Sequence, residues 1–351
     1  MPITTGTVGL NADVNALIGR IDGPVYMYIE DESNLLNTAK NRYDKKIYNV
    51  RTSKHNTENW ILSNGGDLLS ATVEGGSGKE LEYKEVGRSE VRHIIFKGDC
   101  TVNRALIEDS NTNEISKAAR TLARAYYNTL NRFAIYGLVK ATGATMDFAG
   151  ETGISLATYD GKPLFSKDHL YAGGKKNQSN YYYYSTGANA VDSEMVEAVL
   201  TAGAILGRNL KDESGAAQGY QFNKLYIPGN RIGLEKATRK AIGTVYQPGS
   251  ANNDINIQAG GWTFEALPFW ESDEDEIILM SDAANEALDG SVYWHRTGFE
   301  CHRIGEGFDK NDNLIYHGRS RMSLKHNTYK HAIRIKLGTA ASDAKCTTLT
   351  L

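Results

Sequence analysis

Tyr159-Asp160-Gly161-Lys162-Pro163-Leu164-Phe165-Ser166-Lys167-Asp168-His169, followed after a Gly-Gly and a polar run by Gln178-Ser179-Asn180, is the stretch on which the reading of this chain turns. Asp160-Gly161 just ahead of Pro163 marks a tight turn. Leu164-Phe165 is an apolar pair suited to burial, and Ser166 to His169 caps it with polar groups. The stretch holds no nucleophile, metal cluster or phosphate loop, so it predicts architecture rather than chemistry.

Upstream lies the clearest helix, 112–142. Ile115, Ala119, Leu122, Tyr126, Leu130 and Phe133 recur at spacings of three and four. Asn111, Thr112 and Asn113 offer N-caps, and Gly143 supplies a stop. At about 1.5 Å per residue such a helix is roughly 45 Å long, a spine for a domain. Downstream, Asp192 caps a second helical pattern through Val196, Val199, Leu200 and Leu206 to Leu210. A strand at 224–227, a helix at 230–242, a loop at 247–254 and strands at 262–266, 276–280 and 291–295 follow. This mixture over 190–310 predicts an α/β domain. The tail returns to strand, with Ala332-Ile333-Arg334-Ile335-Lys336-Leu337 alternating.

Residues 58–108 read differently. Gly65-Gly66 and Gly75-Gly76-Ser77-Gly78 punctuate alternating segments, which predicts a long β-hairpin. Between Glu74 and Lys97 it carries five acids and five bases. A solvated ribbon is one reading. Because an isolated ribbon is marginal in water, a ribbon lying on a neighbour and pairing charges there is the other. Residues 1–55 show no dominant periodicity and predict an extended arm, with a short helix over 31–41 and a strand over 45–50. Tyr181 to Tyr184 stand in a row. Any one of them reads as an ordinary core or rim tyrosine, but a strand sends neighbours to opposite faces, so the row as a whole is hard to bury within one domain and suits surfaces buried on assembly.

Composition narrows the function. Net charge is -3, from 39 Lys and Arg against 42 Asp and Glu, so the molecule as a whole is no basic nucleic-acid binder. Cys100, Cys301 and Cys346 are scattered and odd in number, and predict reduced thiols. The start, Met1-Pro2-Ile3-Thr4-Thr5-Gly6, lacks the basic and apolar regions of a signal peptide. No run of about 18 apolar residues occurs, so no membrane partner is expected.

Chemical motifs are scarce. GxxxxGK[ST], GxSxG, HExxH and a strand-borne GxGxxG do not occur. Glu74 to Lys79 reads as a hairpin tip, since no helix follows to bind an anion. His295, Cys301 and His302 match no common zinc spacing. The run Glu271 to Glu276 lacks the central glycine of an EF-type loop and reads as a solvated acidic loop. No cofactor is expected and no enzyme is predicted.

One charge pattern stands out: 313–342 contains no acid, while Arg319, Arg321, Lys325, Lys330, Arg334 and Lys336 lie within it. Either these bases pair with acidic loops of the same or another copy, or they form a sheet face that screens packaged phosphate.

The opening stretch resembles the DG-x-x-LF-S-x-x-H…SN signature of tailed-phage major capsid proteins, especially the Mu-like major head subunit family. Asp160, Gly161, Leu164, Phe165, Ser166 and His169 carry it. Leu225-Tyr226-Ile227-Pro228 with Leu234 and Ala237, Pro248-Gly249-Ser250-Ala251-Asn252 with Ile255-Asn256, and Ile278-Leu279-Met280-Ser281-Asp282 resemble further family segments in the same order. The resemblance implies an α+β Hong Kong ninety-seven fold. Its parts would be an N-terminal arm (1–55), an E-loop hairpin (56–108), a peripheral domain (109–187 and 309–351) with spine helix 112–142, and an axial domain (188–308).

The resemblance further implies a structural subunit that self-assembles through hexamers and pentamers into an icosahedral shell around double-stranded DNA. Portal and scaffold proteins would be partners, and the product would be a phage head assembled in the host cytoplasm. Inter-subunit hairpin residues would include Lys79, Glu82, Lys84, Glu85, Arg88, Glu90 and Arg92, with no covalent cross-link expected. The family's cleaved scaffold segment has no counterpart here, which implies a separate scaffold. An encapsulin-like compartment is the alternative within this fold. A cytosolic α/β enzyme and a tail or sheath protein are the rivals outside it.

Overall fold

The computed structural model describes residues 4–38, 42–63, 85–109, 112–171, 175–187, 189–243, 256 and 258–350. The expected loop 247–254 lies outside them, as do Lys79, Glu82 and Lys84. Helix α4 (Thr112–Val139) is the spine expected from periodicity. Its first half buries Ile115, Ala119, Leu122 and Ala123, and its second half Leu130, Phe133, Ala134 and Leu138. The first set joins one apolar cluster and the second another, so one helix runs through both.

The N-terminal segment corrects an expectation. It forms α1 (Thr4–Leu36), a long helix despite Pro24 within it, not an extended arm. Intrinsic propensity disfavours this outcome, and tertiary packing overrides it. Ile18, Val25 and Ile29 fall on one face at spacings of seven and four and join the cluster around Ile115 and Ala119. Glu32, on the same face, accepts from Arg124 Nε of α4 at 2.7 Å. The expected strand over 45–50 divides into α2 (Tyr43–Ile47) and β1 (Asn49–Thr52).

Two sheets flank the spine. In the first, β1, β13 (Ser291–Ile304), β14 (Asn313–His326) and β4 (Ile94–Asn103) stand in the order β1-β13-β14-β4. Its inward side packs on α4 so closely that a Cβ on Gly137 would come 2.6 Å from Leu324. The second sheet holds β9 (Tyr181–Ser185), β10 (Lys224–Pro228), β11 (Thr263–Leu267), β12 (Asp275–Met280), β15 (Ala332–Gly338) and β16 (Thr347–Thr348). Its order is β11-β10-β12-β15-β9-β16. Helices α5 (Ser193–Arg208) and α6 (Ile232–Gly243) cover one face with Val196, Val199, Leu200 and Leu234. Tyr226, Ile278 and Met280 on the other face meet the second half of α4's cluster. Asp192 caps α5 as expected, accepting from Met195 N at 2.9 Å.

The pairing crosses the expected domain limits. Strands β13 and β14 form one antiparallel hairpin across residue 308, and β15 joins β12 in the second sheet. Burial on both faces also corrects the reading of the tyrosine row. Tyr181 and Tyr183 enter the core beside α4, Tyr182 enters the core under α5, and all three are buried within this one chain.

Candidate functional site

Two short hairpins adjoin the signature stretch: β5 (Thr145–Phe148) with β6 (Glu151–Ser155), and β7 (His169–Tyr171) with β8 (Lys176–Gln178). Gly161 adopts φ +74, which the Asp-Gly turn requires and side chains resist. Leu164 and Phe165 are fully buried. Asp160 organises the turn: Oδ2 lies 2.8 Å from His169 Nδ1 and accepts from Leu170 N, while Oδ1 accepts from Thr158 Oγ1 and Lys162 N. Burial pushes the Asp160 carboxyl up, but the bonds from His169 and Thr158 outweigh it and hold the group below its usual value.

The His169 ring stacks on Tyr329 at 3.7 Å, and its Nε2 lies 3.1 Å from the Leu164 carbonyl. Asn180 closes the knot. Its Oδ1 accepts from Ser166 N at 3.0 Å, and its amide donates to Leu164 O at 2.7 Å and Ala332 O at 3.1 Å. Ser166 Oγ accepts from Asp168 N. The side chains of Asp160, Ser166, His169 and Asn180 are thus spent on holding backbone and one another in place.

The hairpin region contrasts with this. Strands β2 (Thr57–Ser63) and β3 (Glu85–Arg92) pair antiparallel with each other and, among the described strands, with nothing else. Glu85, Arg88, Glu90 and Arg92 are exposed, as is Ile61 at 50%. The ribbon's root is the buried ring of His93, whose Nε2 lies 2.9 Å from Ser53 Oγ and whose Nδ1 lies 2.9 Å from Ser323 Oγ. Burial lowers the His93 pKa, with Arg321 and Arg296 adding to the effect and Glu58 opposing it. Gly87 passes so close to Tyr159 that a Cβ would stand 2.7 Å from its ring.

The six bases of 313–342 do not share a face, which corrects the expectation of a phosphate-facing strand. Arg334 is buried and donates to both oxygens of Glu276, at 3.2 and 2.7 Å, and to Val139 O at 2.6 Å. Lys330 is buried against Glu213 at 3.1 Å. Lys336 bonds Glu274 and Asp343, each at 2.7 Å. The acidic run 271–276 is therefore half of an internal ion-pair set, and Asp275 takes Arg231 at 2.7 Å. Lys325 is buried with Nζ 2.7 Å from Ser155 Oγ, and burial pushes its amine down to about 8. Arg319 and Arg321 lie half-exposed on the outward side of β14, in no ion pair among the described residues.

His295, Cys301 and His302 do not converge. His295 Nε2 lies 3.1 Å from Asp44, which Arg42 also clamps at 2.5 and 2.7 Å. His302 faces His317. Burial pushes the Cys301 thiol up to about 11, with nearby Cys100 adding to it. Among the described residues no group of three or more metal-ligating side chains occurs, and no helix is long and apolar enough to cross a membrane. Sequence reasoning missed the Arg42–Asp44–His295 cluster and the buried chain His326–Ser291–His331, whose links are 2.7 and 2.6 Å. Their members lie up to 253 positions apart, and no spacing signals them.

No protein-family profile and no curated protein sequence matches the chain. Solved structures do. The capsid of Myoviridae phage XM1 superposes with a TM-score of 0.50 at 9% identity, covering 83% of this chain and 88% of that one. The procapsid of bacteriophage JBD30 gives a TM-score of 0.47 at 13% identity, covering 91% of this chain and 74% of that one. The capsid of an empty GTA particle gives 0.48 at 13%, covering 85% and 90%. The fold is that of the Hong Kong ninety-seven type, α+β, with a spine helix, a ribbon and a helix-covered sheet.

Proposed function

We propose that this chain is the major capsid subunit of a tailed phage, assembling through hexamers and pentamers into an icosahedral shell around the genome. The single observation that carries the reading is the β2–β3 ribbon. It leaves the body at His93 and presents exposed charges and Ile61, a geometry marginal in water without a neighbour. The fold, shared with the phage XM1 capsid, supports the same reading. Closed rings of identical copies supply such neighbours for every ribbon at once. In this reading the subunit catalyses nothing. Its partners are itself, portal and scaffold proteins and non-specifically held double-stranded DNA, and it resides in the virion after assembly in the host cytoplasm.

We assign the ribbon as the E-loop, α1 as the arm, the first sheet with α4 as the peripheral part and the second sheet with α5 and α6 as the axial part. The test removes residues 57–92 and joins residue 56 to His93 through a short glycine linker, which the contact between Ser53 and His93 permits. The expected product is a folded subunit by circular dichroism that forms no closed particles by electron microscopy. Closed shells from this deletion would overturn the reading. Nuclease-protected DNA in wild-type particles is expected; enclosed protein without DNA would identify a cargo compartment instead.

A further inference from the structure

We propose that the groove between the ribbon root and the β5–β6 hairpin receives the acidic outer stripe of α1 from a second copy of this chain. This rests on the shell reading and names one contact within it. The groove encloses about 470 Å³, and Arg92, His93, Ile95, Ile154, Ser155 and Arg321 are among the residues that line it. None of Arg296, Arg321 and Lys325 has a carboxylate within ion-pair reach among the described residues. Arg321 Nε and Arg296 Nη1 are buried without a hydrogen-bond partner among the described residues. Lys325 is 6% exposed, and among the described residues its ammonium meets the Ser155 hydroxyl alone. An uncompensated buried cation such as Lys325 is costly, and a carboxylate arriving from outside relieves that cost.

The identity of the arriving group follows from the rim. Glu90 and Glu151 border the groove, so a polyanion such as nucleic acid meets repulsion there. A short stripe with two carboxylates among apolar groups meets less of it, because it can set those carboxylates on Arg92 and Arg321 and its apolar groups on the isoleucines. Helix α1 carries such a stripe on the side turned away from α4: Met27, Glu30, Asp31 and Leu35, at helical spacing. Met27 and Leu35 are 50% and 64% exposed, and Tyr26 beside them 37%. The groove offers Ile95, itself 44% exposed, as the apolar counterpart.

The test uses the full chain. Lys325 is footprinted with a water-soluble acetylating reagent at pH 8, on free subunits and on sedimented particles, with mass-spectrometric readout. A carboxylate that raises the amine from about 8 to about 9 lowers its free-base fraction at pH 8 about fivefold, and that loss of labelling on assembly is expected. Arg321→Glu is expected to reduce particle yield about tenfold or more, and Glu30→Lys with Asp31→Lys in the same chain to restore it. Circular dichroism confirms that each variant folds, and the wild-type footprint decides alone if one does not. Particles in which Lys325 labels as in free subunits overturn this contact while leaving the shell reading intact, as does a folded triple variant that stays unassembled. A wild-type chain that remains monomeric at every concentration overturns the shell reading, and this contact with it.

Discussion

The signature turn and the ribbon lie against each other at Tyr159 and Gly87, yet they spend their polar groups in opposite ways. Around Asp160, His169 and Asn180, side chains bond inward to Leu164, Ser166 and Ala332. Along the ribbon, charged side chains are held outward, and the guanidiniums of Arg296 and Arg321 near its root keep nitrogens with no partner among the described residues. The first region determines how one copy folds; the second, in the shell reading, is kept for contact between copies. A motif is therefore a poor guide to contact surfaces when its residues are consumed in building the subunit.

Substitutions that separate the two regions sharpen this contrast. The largest effect is expected from Arg334→Ala, which strands the buried Glu276 carboxylate and should cost about 3–5 kcal/mol in a urea titration of the subunit. Arg321→Ala, only half-exposed and unpaired, should stay within about 0.5 kcal/mol; equal losses would erase the distinction between inner and outer bases.

Acid comes next. His326 and His331 are fully buried, and burial holds them at about 4 and about 3, below the ordinary histidine value. The unfolded chain therefore binds these protons first as pH falls, so their contribution is intact above about pH 6.5 and is lost on descending towards pH 4. For His326 alone the loss should reach about 3 kcal/mol, and His326→Gln should flatten the stability profile between those limits. A flat wild-type profile would contradict the burial.

A smaller effect is expected at the seam. Gly87→Ala puts a methyl 2.7 Å from Tyr159, and the ribbon root should shift at a cost of about 1–2 kcal/mol. Hydrogen exchange is expected to rise in β3 and not in β7. The smallest change in subunit stability belongs to Glu90→Lys on the exposed ribbon, within about 0.5 kcal/mol, while particle yield falls. Unchanged yield would mean that the ribbon's charges face only water.

Much of the fold was legible where local rules act. The heptad-like spacing from Ile115 to Phe133 and the Asp192 cap marked α4 and α5, and the alternation at 332–337 marked β15. The long helix α1 was hidden, because Gly6, Gly9, Gly19, Gly23 and Pro24 argue against it locally while α4 supplies the stabilising contacts. The tyrosine row misled for a related reason: β9 lies between β15 and β16, so neighbouring side chains find a core on each side. The basic tail misled because Arg334 meets Glu276 from 58 positions away, a distance over which pattern carries no pairing information. The sequence offered two partners for those bases, and the near one in space was the acidic run.

The passage of α4 through both apolar clusters has a mechanical consequence. A 28-residue helix interrupted by no proline resists stretching far better than the turns around it. Load applied where α1 grips Arg124 must then reach the sheet beside Leu138 as tilt of a rod, so pressure on one end of the subunit is delivered to the other as leverage.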